Sequence, residues 1–217
     1  MIEISEEIYQ KFLATAHAVG SSGLTLCSSG NLSMRISEDV AIVSGTGSWL
    51  PKLRKEQICI ADIKTGQPLN EIRSSMESGF HLGVLRENPD VNVVLHCSPL
   101  YATTIAAMKN RPQNYNVIAE VPCYCVGIKE IAYTRPGSPE LAKKVMEALK
   151  DNDVALLLNH GIVVKGKDLD DAFQKATFFE FACRIIVQSK GDYEVLNQDA
   201  VDDLDYYVKG KEKKTMS

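Results

Sequence analysis

Little in this chain points toward a membrane, a nucleic acid or an oxidising compartment. No uninterrupted apolar run is long enough to cross a bilayer, so no membrane span is expected. Met1-Ile2-Glu3-Ile4-Ser5-Glu6-Glu7 lacks a basic segment ahead of an apolar one, and no signal peptide is read there. Positive charge is not in excess. With 24 Lys and Arg against 28 Asp and Glu, the formal charge of -4 gives no field that would recruit nucleic acid. The six cysteines are scattered without CxxC spacing, which excludes a zinc ribbon and a disulfide framework. Cys123 and Cys125, one residue apart in what reads as an extended run, are expected to face the same side as half-buried thiols. No Pro/Gly/Ser-rich linker divides the 217 residues. One domain over residues 1–208, a flexible basic tail over 209–217 and a soluble cytoplasmic protein are therefore expected.

What is present is organised around residues 77–101. Glu77, Phe80, His81 and Val84 fall at i, i+3, i+4 and i+7, one face of a helix that Asn88-Pro89-Asp90 ends. Val91 to Leu95 is an apolar, β-branched run of strand length, and His96 stands at its end. Ser98-Pro99 reads as the N-cap and first position of a further helix reaching Met108. Val154 to Leu158 is a second buried strand with a histidine after it, His160, and Ile162 to Val164 forms its hairpin partner.

Other elements follow from similar signals. Ile8, Phe12 and Ala16 mark a helix over residues 5–20, and His17 beside that stripe is given no role. Val40 to Val43 and Ile58 to Ile60 read as strands, with Lys64-Thr65-Gly66 as a hairpin turn. Val117 to Val126 reads as an edge or bent strand broken by Pro122. Ser138-Pro139-Glu140 opens a helix, and Asp168, Asp170 and Asp171 open the longest one. Trp49, the only tryptophan, is expected to anchor the core.

Two loops share one composition. Cys27-Ser28-Ser29-Gly30-Asn31 and Ser44-Gly45-Thr46-Gly47-Ser48 each place small hydroxyl residues and glycine next to a strand. Such loops can turn backbone N–H groups and hydroxyls toward an anion, or can be ordinary hairpin turns; neither matches a P-loop or dinucleotide fingerprint. Glu77 also has two readings. Ser74 lies three residues ahead of it, as in a capping box, so the carboxylate either caps a helix or does chemistry. Two of the four histidines at corresponding strand ends, with a carboxylate nearby, suit a zinc-like ion with positions left open; a histidine at a strand end can equally be structural, and the residues alone leave both readings open.

In order along the chain, Gly30-Asn31-Leu32-Ser33, Ser44-Gly45-Thr46-Gly47, Ser75-Met76-Glu77, Val94-Leu95-His96 with Tyr101-Ala102-Thr103, and Leu158-Asn159-His160-Gly161 resemble the class II sugar-phosphate aldolases over residues 6–188. The family includes L-fuculose-1-phosphate aldolase and L-ribulose-5-phosphate 4-epimerase. The resemblance implies an α/β (α+β-like) fold: a central, mainly antiparallel sheet flanked by helices on both faces. It implies a homotetramer with sites at subunit interfaces, a small phosphorylated sugar as substrate, and one Zn2+ or other divalent ion per subunit. His96 and His160 match metal ligands, and Glu77 matches the catalytic acid/base, which can also bind metal when substrate is absent. Ser28, Asn31, Thr46, Gly47 and Ser75 match phosphate-binding positions. Tyr133 matches a tyrosine that reaches a neighbouring subunit's site and handles the proton of the departing aldehyde oxygen. Ser98 stands where the family has a further histidine ligand, and Met76 where many members have a serine. The implied reaction is retro-aldol cleavage of a ketose 1-phosphate to dihydroxyacetone phosphate and an aldehyde. A 4-epimerase, a ketose-phosphate dehydratase and a non-catalytic adducin-head-like module are the alternatives on the same scaffold.

Overall fold

The structure, a computed structural model, describes residues 4–209. Its centre is a seven-stranded sheet: β1 (Asn31–Arg35), β2 (Val40–Ser44), β3 (Ile58–Asp62), β4 (Val93–Cys97), β5 (Ile128–Ile131), β6 (Val154–Leu157) and β7 (Gly161–Gly166). The spatial order is β3-β2-β1-β4-β7-β6-β5. Every neighbouring pair is antiparallel except β5 with β6, so the mainly antiparallel sheet expected from the resemblance is found.

Period-two alternation sends each strand's side chains to two cores. Leu32, Ile42, Leu95, Ile162 and Val164 face one layer, made of α1 (Glu6–Ser21), α3 (Leu100–Ala107), α4 (Glu120–Tyr124) and α6 (Leu169–Gln188). Val43, Val94, Ala155 and Val163 face the other, made of α2 (Ser78–Glu87) and α5 (Pro139–Asp151). Strand β4 is buried at all five residues because helices cover both its faces, which is why it reads as a continuous apolar run. The expected helix starts hold at three places. Ser5, Ser138 and Asp168 each accept an N-terminal amide of the helix they precede. His17 is satisfied locally, with Nε2 2.8 Å from the Leu53 carbonyl.

Several expectations are corrected. Residues 117–126 form no strand; α4 lies there instead, and the edge strand is β5. Pro122 sits inside the first turn of α4, where a missing amide hydrogen costs no hydrogen bond. Cys123 and Cys125 therefore do not share the face of an extended run: Cys125 is buried and Cys123 half-buried. Trp49 is 42% exposed, with the Lys52 amino group 5.4 Å over its ring, and anchors no core. Strand β4 begins at Val93 rather than Val91, so His96 lies within it. After the turn at Gly66, the return toward β3 is a single bridge, Ala61 with Pro68. A further helix, α7 (Gln198–Lys209), was not read from the sequence. The expected tail from residue 209 falls, beyond that helix end, outside the described residues. No described helix is long and apolar enough to cross a membrane.

Candidate active site

Strand pairing brings the first two site residues together. In the β1–β4 ladder Asn31 stands directly opposite His96, on the face that packs against α2. Strand β6 ends at Leu157, and a turn carries His160 back to β7, with Asn159 in the left-handed region at φ 59. That turn passes close to the end of β4: a Cβ on Gly161 would sit 2.5 Å from the Cys97 carbonyl oxygen. Helix α2 supplies the acid. Glu77 occupies its N-cap position, yet its side chain caps nothing; Ser75 Oγ accepts the Glu77 amide at 3.2 Å, and Ser74 Oγ donates to Ser78 Oγ. The capping-box reading is thereby excluded.

The Glu77 carboxylate instead turns inward. Its Oε2 lies 3.2 Å from His96 Nε2, and its Oε1 lies 3.5 Å from His160 Nε2. One ligand atom from each of Glu77, His96 and His160 falls within 4.8 Å of the others. Three ligand atoms gathered that closely could share one ion. A second observation supports the fit: Glu77 Oε1, the oxygen that faces His160 Nε2, is buried without a hydrogen-bond partner. Buried polar atoms are rarely left so unless something absent from the protein answers them. One carboxylate oxygen and two imidazole nitrogens suit a zinc-like divalent ion with open positions.

The ring chemistry agrees. His96 Nδ1 is 2.8 Å from the Ile162 carbonyl oxygen, so Nδ1 carries a proton and Nε2 is the nitrogen left to face Glu77 and an ion. Burial, reinforced by His96 and opposed by Glu77, lowers His160 to about 4. Near neutral pH it is an uncharged potential ligand.

A cavity of about 400 Å³ opens above these groups. Ser28, Asn31, Thr46, Gly47 and Ser75, the five expected phosphate-binding positions, all line it together with Glu77, His96 and His160. Gly47 has φ 72, a conformation that glycine adopts without strain. Hollows of about 580 to 730 Å³ elsewhere bring no such acid and imidazole pair together.

Ser98 also lines the cavity, but its hydroxyl donates to the Ser29 carbonyl at 3.2 Å. It is not the N-cap of α3 either. Pro99 holds that position, and Glu180 of α6 takes the Tyr101 and Ala102 amides at 2.8 Å each. Tyr133 is 62% exposed and lies outside the cavity lining of its own chain. Sequence reasoning overlooked His81 as a site residue. It is fully buried, with Nδ1 2.8 Å from Ser33 Oγ and Nε2 against Asn31 Oδ1. Its one signal was the four-residue spacing from Glu77.

With the site described, comparison places the chain. Residues 10–187 match the model of the class II aldolase and adducin N-terminal domain. The chain belongs to that family. A 3-oxo-tetronate 4-phosphate decarboxylase of Haemophilus influenzae is 28% identical over 194 residues, covering 88% of this chain and 87% of the relative. An L-fuculose phosphate aldolase of Methanococcus maripaludis is 30% identical over 176 residues, covering 78% and 90%. A solved L-fuculose 1-phosphate aldolase superposes with a TM-score of 0.84 over 95% of this chain and 98% of its own; at 23% identity it establishes the fold. The chain is thus an enzyme of the class II, metal-dependent lyase kind, with a Glu-His-His group that could hold the ion.

Proposed function

We propose that this enzyme cleaves a ketose 1-phosphate resembling L-fuculose 1-phosphate, releasing dihydroxyacetone phosphate and an aldehyde. The observation that carries this reading is the buried, unpartnered Glu77 Oε1 beside two imidazoles at the floor of a cavity rimmed by two Gly/Ser/Thr loops. His96 and His160, joined by Glu77 while no substrate is bound, would hold a divalent ion, zinc or another, whose Lewis acidity would stabilise negative charge on a substrate oxygen as the carbon–carbon bond breaks. Ser28, Thr46, Gly47 and Ser75, with Asn31 at their inner edge, hold the phosphate and position the reacting carbons. Glu77 takes and returns a proton at the carbon that loses its neighbour, a step worth ~10²- to 10⁴-fold in rate. Tyr133, exposed and away from its own chain's cavity, serves the site of a neighbouring subunit in a homotetramer and takes the proton from the hydroxyl that becomes the aldehyde oxygen, returning it in the reverse condensation. The setting is the cytoplasm.

A second reading is decarboxylation of a phosphorylated 3-oxo sugar acid, favoured by the Haemophilus relative that covers 88% of the chain. Carbon dioxide leaves from a carboxylate that has no proton to give up, whereas the hydroxyl that becomes the aldehyde oxygen must lose one. The test is a panel of ketose 1-phosphates, pentulose 5-phosphates and 3-oxo acid phosphates, assayed for dihydroxyacetone phosphate, epimer and carbon dioxide. Dihydroxyacetone phosphate released from a ketose 1-phosphate together with an aldehyde, and falling at least ~10-fold in Tyr133→Phe, supports the aldolase. Carbon dioxide release indifferent to that change selects the decarboxylase.

A further inference from the structure

Two pairs of side chains meet beneath the cavity, each pair placed by its element's own period. Strand β1 presents Asn31 and Ser33 on one face, and the start of α2 presents Glu77 and His81 four residues apart. All four residues are buried. Asn31 Nδ2 donates to Glu77 Oε2 at 3.1 Å. The facing Asn31 Oδ1 can only accept, so His81 Nε2 carries the ring proton toward it. His81 Nδ1 is then an acceptor, and the Ser33 hydroxyl, 2.8 Å away, donates to it in preference to the Val94 carbonyl at 3.5 Å. Every bond therefore points the same way: Ser33 to His81, His81 to Asn31, Asn31 to Glu77. Burial, reinforced by His96, lowers His81 to about 3, which agrees with a neutral ring holding one proton.

We propose that His81 is a positioning residue that, through Asn31, clamps Oε2 of Glu77 and leaves Oε1 as the oxygen that carries the substrate proton. Reversing the Asn31 amide would set its oxygen against the carboxylate, and His81 Nε2–H prevents that reversal. Each oxygen lies beside one imidazole, Oε2 by His96 and Oε1 by His160, but Asn31 engages Oε2 alone and Oε1 has no hydrogen-bond partner. The two oxygens are thus made inequivalent by a residue that touches neither substrate nor ion. The inference rests on reading Glu77 as the proton carrier, and the experiment separates the two.

The test combines crystal structures with steady-state kinetics on metal-loaded His81→Leu, His81→Gln and Asn31→Asp. In His81→Leu the Glu77 carboxylate should swing out of its present orientation. Turnover should drop ~10- to 100-fold, the range seen when a partner behind a site ligand is removed, with KM within about threefold. His81→Gln, whose amide N–H can reach Asn31 Oδ1, should restore the orientation and most of the rate. Asn31→Asp is nearly isosteric and puts an acceptor against Oε2, so it should displace Glu77 even if His81→Leu does not fold. An unmoved carboxylate in the variants that fold overturns the clamp. So does a turnover number that tracks thermal stability alone, with Leu and Gln at position 81 equally impaired. If the wild-type protein turns over no phosphorylated substrate, the functional reading falls, and the carboxylate position in the variants still decides the clamp.

Discussion

The sheet buries polar groups at both ends, and the two ends treat them oppositely. At one end Asp153, just before β6, meets Lys175 at 3.1 Å and accepts the Val126 amide at 3.0 Å, while Lys175 also reaches Asp171 at 2.9 Å. Lys165 there donates to the Leu149 and Lys150 carbonyls at the end of α5. At the other end, past β6 and late in β4, Glu77 and His160 each keep a buried atom without a partner. The side chains are comparably enclosed: Asp153 is 11% exposed, Glu77 10%. Burial of charge therefore does not by itself mark function. Left-over hydrogen-bonding capacity marks it only beside chemically apt neighbours, as at Glu77; Thr25 and Thr103 also keep unpartnered hydroxyls, away from the cavity.

The comparison can be broken most sharply by neutralising one carboxylate at each end. Glu77→Gln should lower turnover ~10²- to 10⁴-fold. Its urea midpoint should stay equal or rise, since the site holds a buried acceptor that nothing in the fold satisfies. Asp153→Ala should do the reverse. It leaves two lysines facing a vacated position and should cost about 3 kcal/mol, near the lower end for a broken buried pair because Asp171 still faces Lys175. Turnover of the folded fraction should hardly change. A Glu77→Gln enzyme with unchanged turnover would reduce Glu77 to a structural acid.

His160→Ala asks whether the open end is open for an ion. Metal analysis should show about one divalent ion per chain in the loaded wild-type protein and none retained in the variant. No ion in either, under any loading condition, would favour a non-catalytic module.

Acid sharpens the contrast with a smaller effect. His81 is lowered to about 3 and His160 to about 4, from an ordinary value of 6.5. Below 6.5 the unfolded chain takes up protons that the folded chain refuses, so stability is full above 6.5 and drains as the pH falls. The loss is at most about 1.4 kcal/mol per pH unit per histidine. Both histidines contribute down to about 4, and His81 alone from there to about 3. Urea midpoints of chelator-treated protein should show this limb, and His81→Gln should flatten it. A limb identical in that variant would assign the acid sensitivity elsewhere.

Much of the site was legible because its residues sit where local signals are strong. His96 and His160 each follow a β-branched apolar run, and the two loops announce themselves by composition. Elsewhere the local signals misled. Pro122 was weighed as a strand breaker when it lies in the first turn of a helix. Ser98 looked like a cap, but the cap of α3 comes from Glu180, 79 residues away from Tyr101. No local pattern announces a partner at that distance. Helix α7 escaped notice because Val201 and Leu204 are only partly buried among aspartates, too thin a stripe to read.

By itself, the sequence determined the sheet-and-helix alternation, the family and the three residues that could bind an ion, because period and side-chain type are properties of short stretches. Which oxygen of Glu77 is held, which nitrogen of each imidazole is free, and whether a buried charge is answered or left open were decided only in three dimensions. Each depends on a partner delivered by strand pairing or by a helix laid across the sheet, and such partners are set by the packing of the whole chain.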